Sequence, residues 1–185
     1  MEKIMVLGVS PGVGKSSFAR KLSEKKGIPV YHLDSYFWKP GWVESSQKEF
    51  REKQQRLVEQ ERWIIEGNYT STYKIRSQKA DTLIYLELPL AACLYRVVKR
   101  RIINHGKTRP DMALGCPEKL DRGFLTFIIS TYRARKVKMR KRMVEFIEES
   151  PHNKVIFLRG RKQIDGFLKG MAEFPLSAYQ DDGSN

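Results

Sequence analysis

The sequence predicts an α/β protein of three layers, with a parallel five-stranded sheet covered by helices on both faces. Three observations predict it. Short runs that are apolar throughout, as in strands buried on both sides, alternate with helical patterns along the chain. The first run, Ile4 to Leu7, enters a turn with three glycines and leaves it into a helical pattern. Finally, carboxylates stand at the ends of several runs, where ligands of such sheets gather. The 185 residues are one domain's worth and can bury a sizeable core without disulfides or metal. The expected unit is a single domain over residues 1–174, followed by a polar, disordered tail over 175–185.

The organising stretch is Gly8-Val9-Ser10-Pro11-Gly12-Val13-Gly14-Lys15-Ser16-Ser17. Glycines there let successive backbone N–H groups converge on phosphate oxygens, and the following helix N-terminus adds positive potential. Lys15 can reach the outer phosphates, and the Ser16 hydroxyl can ligate Mg²⁺. The nucleoside-triphosphate site predicted from this spans Ser10, Pro11, Gly12, Val13, Gly14, Lys15, Ser16 and Ser17. The standard spacing G-x-x-x-x-G-K-[ST] would put the first glycine at Val9, whereas Gly8 lies one residue earlier. Val9 is therefore where the backbone is expected to look unusual.

Taken in order, the first helix runs from Ser16 to Lys26 and stops at Gly27. A second strand, Pro29 to Leu33, ends at Asp34, and an aromatic turn follows (Tyr36, Phe37, Trp38, Trp42). Ser46 and Glu49 have capping-box spacing and open a polar helix to about Glu61. Trp63 to Gly67 is a third strand, and Tyr69 to Lys79 a loop with a short helix. Thr82 to Leu86 is the fourth strand, and Pro89 opens a helix from Leu90 to Asn104. Lys107 to Cys116 has loop composition. Pro117 is read as opening a long helix to about Ser150, with a break near Ser130. Lys154 to Leu158 is the fifth strand and Gln163 to Lys169 the closing helix. Strand ends then bring Asp34, Glu66, Glu87 and Arg159 to the edge that holds the glycine loop.

The formal net charge is +14, and the segment Arg96 to Arg142 carries +12 of it. One region is thus built to meet polyanions, either polyphosphate substrates or nucleic acid. Cys93 and Cys116 lie far apart, which argues against a zinc site or a disulfide framework. No apolar run approaches the ~18 residues that span a membrane, and Met1-Glu2-Lys3 leads straight into the first strand; a cytoplasmic location is expected.

Phosphoryl transfer requires positioning and charge neutralisation more than covalent chemistry. One strand-end carboxylate should orient metal-bound water and another accept the proton of a substrate hydroxyl. Arginines must close over the transferring group, and Arg96, Arg100, Arg101 and Arg109 flank or occupy the loop after the fourth strand. That segment, about 100–120, reads as a mobile lid. Arg159, at the end of the fifth strand, is assigned to the nucleotide. The aromatic turn, with Tyr36 and Trp38, is either a stacking wall for a flat substrate or core beneath the lid.

The glycine loop together with VYHLDSYFWKPGW, WIIEGNYTSTYKIR, RVVKRRI…GKTRPDM and GCPEK resembles the adenylate-kinase-like P-loop family of DNA topology modulation (FlaR-like) proteins. The resemblance implies a nucleoside-monophosphate-kinase fold with strand order 2-3-1-4-5, ATP and Mg²⁺ as cofactors, and transfer of phosphate to a small acceptor. It implies that Glu66 holds a metal-bound water, that Asp34 contacts the acceptor hydroxyl, and that Arg100 or Arg101 is the lid arginine. Where adenylate kinases carry Gly-Phe-Pro-Arg, this chain has Gly67-Asn68-Tyr69-Thr70, so Asn68, Tyr69 and a substituting Arg76 become the candidate acceptor contacts. The family name also implies a rival role, contact with nucleic acid through the basic helix at 131–142, although no recognition motif accompanies it.

Overall fold

The computed structural model describes residues 1–170 of the chain. Its strands and helices run β1 (Lys3–Gly8), α1 (Lys15–Lys26), β2 (Val30–His32), α2 (Leu33–Phe37), β3 (Trp38–Lys39), β4 (Val43–Glu44), α3 (Gln47–Val58) and β5 (Trp63–Glu66). A 3₁₀ turn (Thr70–Thr72) follows, then α4 (Tyr73–Ser77), β6 (Thr82–Glu87), α5 (Leu90–Ile103), α6 (Arg122–Glu148), β7 (Lys154–Arg159) and α7 (Gly160–Gly170). Five strands form one parallel sheet in the order β2-β5-β1-β6-β7, which is 2-3-1-4-5 when they are numbered among themselves. Fold class and strand order are as expected. The expected tail, 175–185, lies outside the described residues.

The sheet's centre is apolar on both faces. Ile4 to Leu7, Trp63 to Ile65 and Leu83 to Leu86 are all buried, as a strand covered by helices on each side requires. Register sets the site. His32 pairs with Glu66, Val6 with Glu66, and Gly8 with Leu86. The C-terminal ends of β2, β5 and β1 therefore lie side by side, with the glycine loop leaving β1 in the middle of the sheet.

Several elements depart from the sequence reading. Helix α6 begins at Arg122, not at Pro117; Asp121 caps it by accepting from the Phe124 N–H at 2.7 Å. It is continuous past Ser130, where the Ser130 and Thr131 hydroxyls bond back to the Phe127 carbonyl at 3.5 and 2.5 Å. Helix α3 ends at Val58 rather than Glu61, while its Ser46 cap accepts from Glu49 N–H as the spacing foretold. Helix α7 starts at Gly160, three residues early. The aromatic turn is a short helix followed by the antiparallel hairpin β3–β4. Among the described residues no helix is long and apolar enough to cross a membrane.

Candidate active site

The loop between β1 and α1 owes its path to three glycines at crowded positions. A Cβ on Gly8 would lie 2.5 Å from Val13 Cγ1, and one on Gly12 would lie 2.2 Å from the Cys93 carbonyl oxygen. Gly12 and Gly14 have φ of 82° and 99°, which side chains resist. Val9 is not strained: among the described residues only Trp42 is a non-glycine with positive φ, and the Val9 N–H donates to the Leu86 carbonyl at 3.0 Å. The unusual position is Gly8, one residue earlier, where the loop folds back onto its own strand. Arg96 Nη1 clamps the loop from α5 by donating to the Val13 carbonyl at 2.9 Å.

Glu66, at the end of β5, is the hub of the loop's chemistry. Its buried carboxylate accepts from the Ser16 hydroxyl at 3.1 Å, lies 3.8 Å from Lys15 Nζ and 3.1 Å from His32 Nδ1. Ser16 and Glu66 are hard oxygen donors one hydrogen bond apart, and Asp111 from the loop after α5 also reaches the Ser16 hydroxyl. Among the described residues no group of three His, Cys, Asp or Glu side chains could cage a metal. This donor set suits Mg²⁺, which takes one or two protein oxygens and fills its shell with water and substrate phosphates.

Asp34, the second residue of α2, stands across from Lys15, and Tyr69 Oη donates to its Oδ1 at 2.7 Å. Burial, and then the charge of Glu66, raise the Asp34 pKa; the Tyr69 bond, Lys15 and Arg109 oppose the rise. A carboxylate so placed is a stronger proton acceptor than one in water.

The segment between α5 and α6 is folded down over this site. Arg109 contacts Asp111 at 2.5 Å and Glu118 at 2.6 Å, and Arg100 contacts Glu118 at 2.9 Å. Burial would raise the Asp111 pKa, but the Arg109 guanidinium, the Ser16 hydroxyl and the backbone N–H of Asp111 together outweigh it and hold that carboxyl below its usual range. The segment is also tied to the hairpin. Gly41 N–H donates to Gly115 at 2.9 Å, Trp42 Nε1–H to Pro117 at 3.2 Å, and Cys116 Sγ to Lys39 at 3.2 Å.

A cavity of about 1320 Å³ runs beneath. Its walls include Pro11 to Ser17, Asp34, Trp38, Glu66, Tyr69, Arg100 and Arg109, so most of the sequence-derived residues meet there. Others do not. Ser10 is fully buried behind the loop, its hydroxyl without a partner. Arg101 turns to His105, and Tyr36 packs edge-on against Tyr31. Arg159 lies beyond β6, 4.0 Å from Glu87, because β7 is the far edge strand. Glu87 itself is buried against Lys136, Arg140 and Arg159 and takes no part in the cleft.

Two further residues have structural tasks. The Asn68 amide extends the β1–β5 ladder by exchanging two hydrogen bonds with the Gly8 backbone, 3.0 and 2.7 Å. Arg76 is fully buried and donates to Gln54, Thr72 and the carbonyls of Gly67 and Tyr69. Burial, with Arg142 nearby, pulls its pKa down to about 9. It holds the turn after β5 from behind and cannot touch an acceptor. Missed by the sequence reading were Asp111, whose place depends on the folded-down segment, and Phe127 with Arg135. The Arg135 guanidinium lies 4.3 Å over the Phe127 ring on the cavity wall.

No family model and no curated protein matches the chain. Solved structures do. The chain resembles a shikimate kinase from Bacteroides thetaiotaomicron with TM-score 0.50 and 18% identity, covering 91% of this chain and 94% of that one. It resembles a shikimate kinase from Acinetobacter baumannii, solved in complex with shikimate, with TM-score 0.50 and 13% identity over 92% of each chain. The fold is thus the P-loop kinase fold of these enzymes.

Proposed function

We propose that the protein is an ATP- and Mg²⁺-dependent phosphotransferase acting on a small hydroxyl acceptor. The observation that carries this reading is the opposition of Lys15, Ser16 and Glu66 to Asp34 across one cavity. Gly12, Val13, Gly14 and Lys15 hold the triphosphate. Ser16 and Glu66 hold Mg²⁺, directly or through water, and the metal supplies charge neutralisation along the phosphates. Asp34 accepts the proton of the acceptor hydroxyl as its oxygen attacks the γ-phosphorus. Arg100 and Arg109, on the segment that forms the lid, stabilise the charge on the transferring group and exclude water. The base lies against Phe127 and Arg135. A single domain with a lid at about 100–120 fits this division of labour.

The nucleic-acid role fares less well. Seven cations stand between Arg133 and Arg142, but they point around α6 rather than along one face. Lys136 and Arg140 pair with Glu87, Arg142 lies over the Tyr73 ring, Arg135 and Lys138 line the cavity, and Lys141 pairs with Glu145. A duplex needs its phosphate contacts on one surface.

The test is ATP turnover by the purified chain with Mg²⁺ across a panel of acceptors. Lys15→Ala should lower acceptor-dependent ADP release by ~100-fold or more while leaving the circular dichroism spectrum unchanged. Turnover that survives this substitution overturns the reading.

A further inference from the structure

We infer that the acceptor carries no phosphate or carboxylate: it is an uncharged or cationic alcohol, held by a ring or ammonium face against the indoles of Trp38 and Trp42. This rests on the phosphotransferase reading and narrows its substrate. The strand order divides the cavity. The glycine loop leaves central β1, α5 and α6 lie on the β6–β7 side, and α2 with the β3–β4 hairpin lies beyond β5 and β2. The acceptor end is therefore the end with Asp34, the hairpin and the turn after β5.

An anionic acceptor needs a cation there with donors to spare, and each candidate at that end is engaged. Arg76 is fully buried, its guanidinium given to Gln54, Thr72 and two carbonyls. Arg109, between Asp111 and Glu118, and Arg100, on Glu118, are the two that serve the transferring phosphoryl group, which leaves neither for a second anion. Lys15 faces Glu66 and the triphosphate path, His32 is 3.1 Å from the same carboxylate, and Lys119 pairs with Asp121 at 3.7 Å. Asp111 and Glu118 thus offset the two guanidiniums, with Asp34 beside them, so the acceptor end has no positive charge left over for an anion. Arg135 and Lys138 are on α6, at the other end.

The walls agree with the charge. Trp38 and Trp42 have ring centroids 5.3 Å apart at 71°, an arrangement that offers one indole face and one edge. Trp42 holds this position at φ 64°, a costly conformation for a bulky residue, and its indole N–H is fixed by the Pro117 carbonyl. Indole faces attract cations and stack on flat rings, but they give an anion nothing. In the transfer, the acceptor oxygen forms a bond to the γ-phosphorus as the bond to the β–γ bridging oxygen breaks. The nucleoside diphosphate leaves with that electron pair, and the hydroxyl proton passes to Asp34.

The experiment is calorimetry on the chain saturated with Mg²⁺ and a non-hydrolysable ATP analogue, using matched pairs: a nucleoside and its monophosphate, an amino alcohol and the hydroxy acid of equal length. Within a pair, the member without the anion should bind about tenfold tighter or better, since juxtaposed like charges repel. Thr70 is exposed on the cavity wall, and Thr70→Arg should shift the ratio by about tenfold or more toward the anionic member. An anionic member that binds the unsubstituted chain as tightly as its partner overturns the inference. So does a panel in which no uncharged or cationic alcohol binds. An alcohol that binds but is not phosphorylated when ATP replaces the analogue leaves this inference standing and overturns the phosphotransferase reading instead.

Discussion

Asp34 shows at the scale of one residue how the site trades stability for reactivity. Its folded pKa is raised, so it favours the protonated form in the fold. Its ionisation therefore destabilises the protein once pH climbs from the unfolded carboxyl value of 3.8 through the raised folded value. Asp34→Asn keeps an oxygen for the Tyr69 hydroxyl and removes that cost. The variant should melt above the parent at about pH 8, and the two should converge below roughly pH 4, as thermal denaturation will show. Its kcat should fall by ~10²–10⁴, and the acidic limb of the kcat/KM profile should disappear. Residue identity made Asp34, Lys15, Ser16 and Glu66 legible in the sequence, because each ends a strand or opens a helix. Arg76 was misleading for the opposite reason. An arginine is read as exposed by default, and only tertiary packing reveals one enclosed by Gln54, one hydroxyl and two carbonyls.

Among the elements, the hairpin and the lid act as one unit. Gly115 has φ 76°, and a Cβ there would lie 3.1 Å from Pro40 Cβ. Gly115→Ala is strained on both counts and should unseat the lid from the hairpin tip. Acceptor KM should rise about tenfold and acceptor-independent ATP hydrolysis should increase, while the KM for ATP changes less than about threefold. Steady-state kinetics with each substrate varied in turn separates these. The hairpin was not legible because two-residue strands carry no periodicity to read. The true start of α6 was written in the sequence as the Asp121 cap. It was overridden by Pro117, which instead pairs across the lid with Thr108. Asp111 was hidden because its neighbours come from elements distant in sequence.

For the whole molecule, part of the basic character of α6 serves the contact between that helix and the sheet. Glu87 ends β6 under Lys136, Arg140 and Arg159, which ties the long helix to the sheet's far side. Arg140→Gln should cost about 2 kcal/mol in denaturant unfolding, less than the roughly 3–5 kcal/mol of a buried pair fully broken, because two cations remain. Retention of duplex DNA by the parent chain at physiological salt should be weak and should fall steeply as salt is raised. Fold class, strand order and the central loop followed from burial and periodicity, which act over whole elements. Which cations face a ligand and which face the protein depended on helix rotation, and composition is blind to that.

The joint between lid and hairpin has an optical consequence. The chain has three tryptophans. Trp63 is wholly buried in the sheet and should emit the same light whatever the lid does. Trp42, whose indole N–H is held by a lid carbonyl, and Trp38 beside it would meet water when that joint opens. Opening should therefore appear as a red shift on a constant background, and stopped-flow mixing with acceptor would time the closing motion without any attached dye.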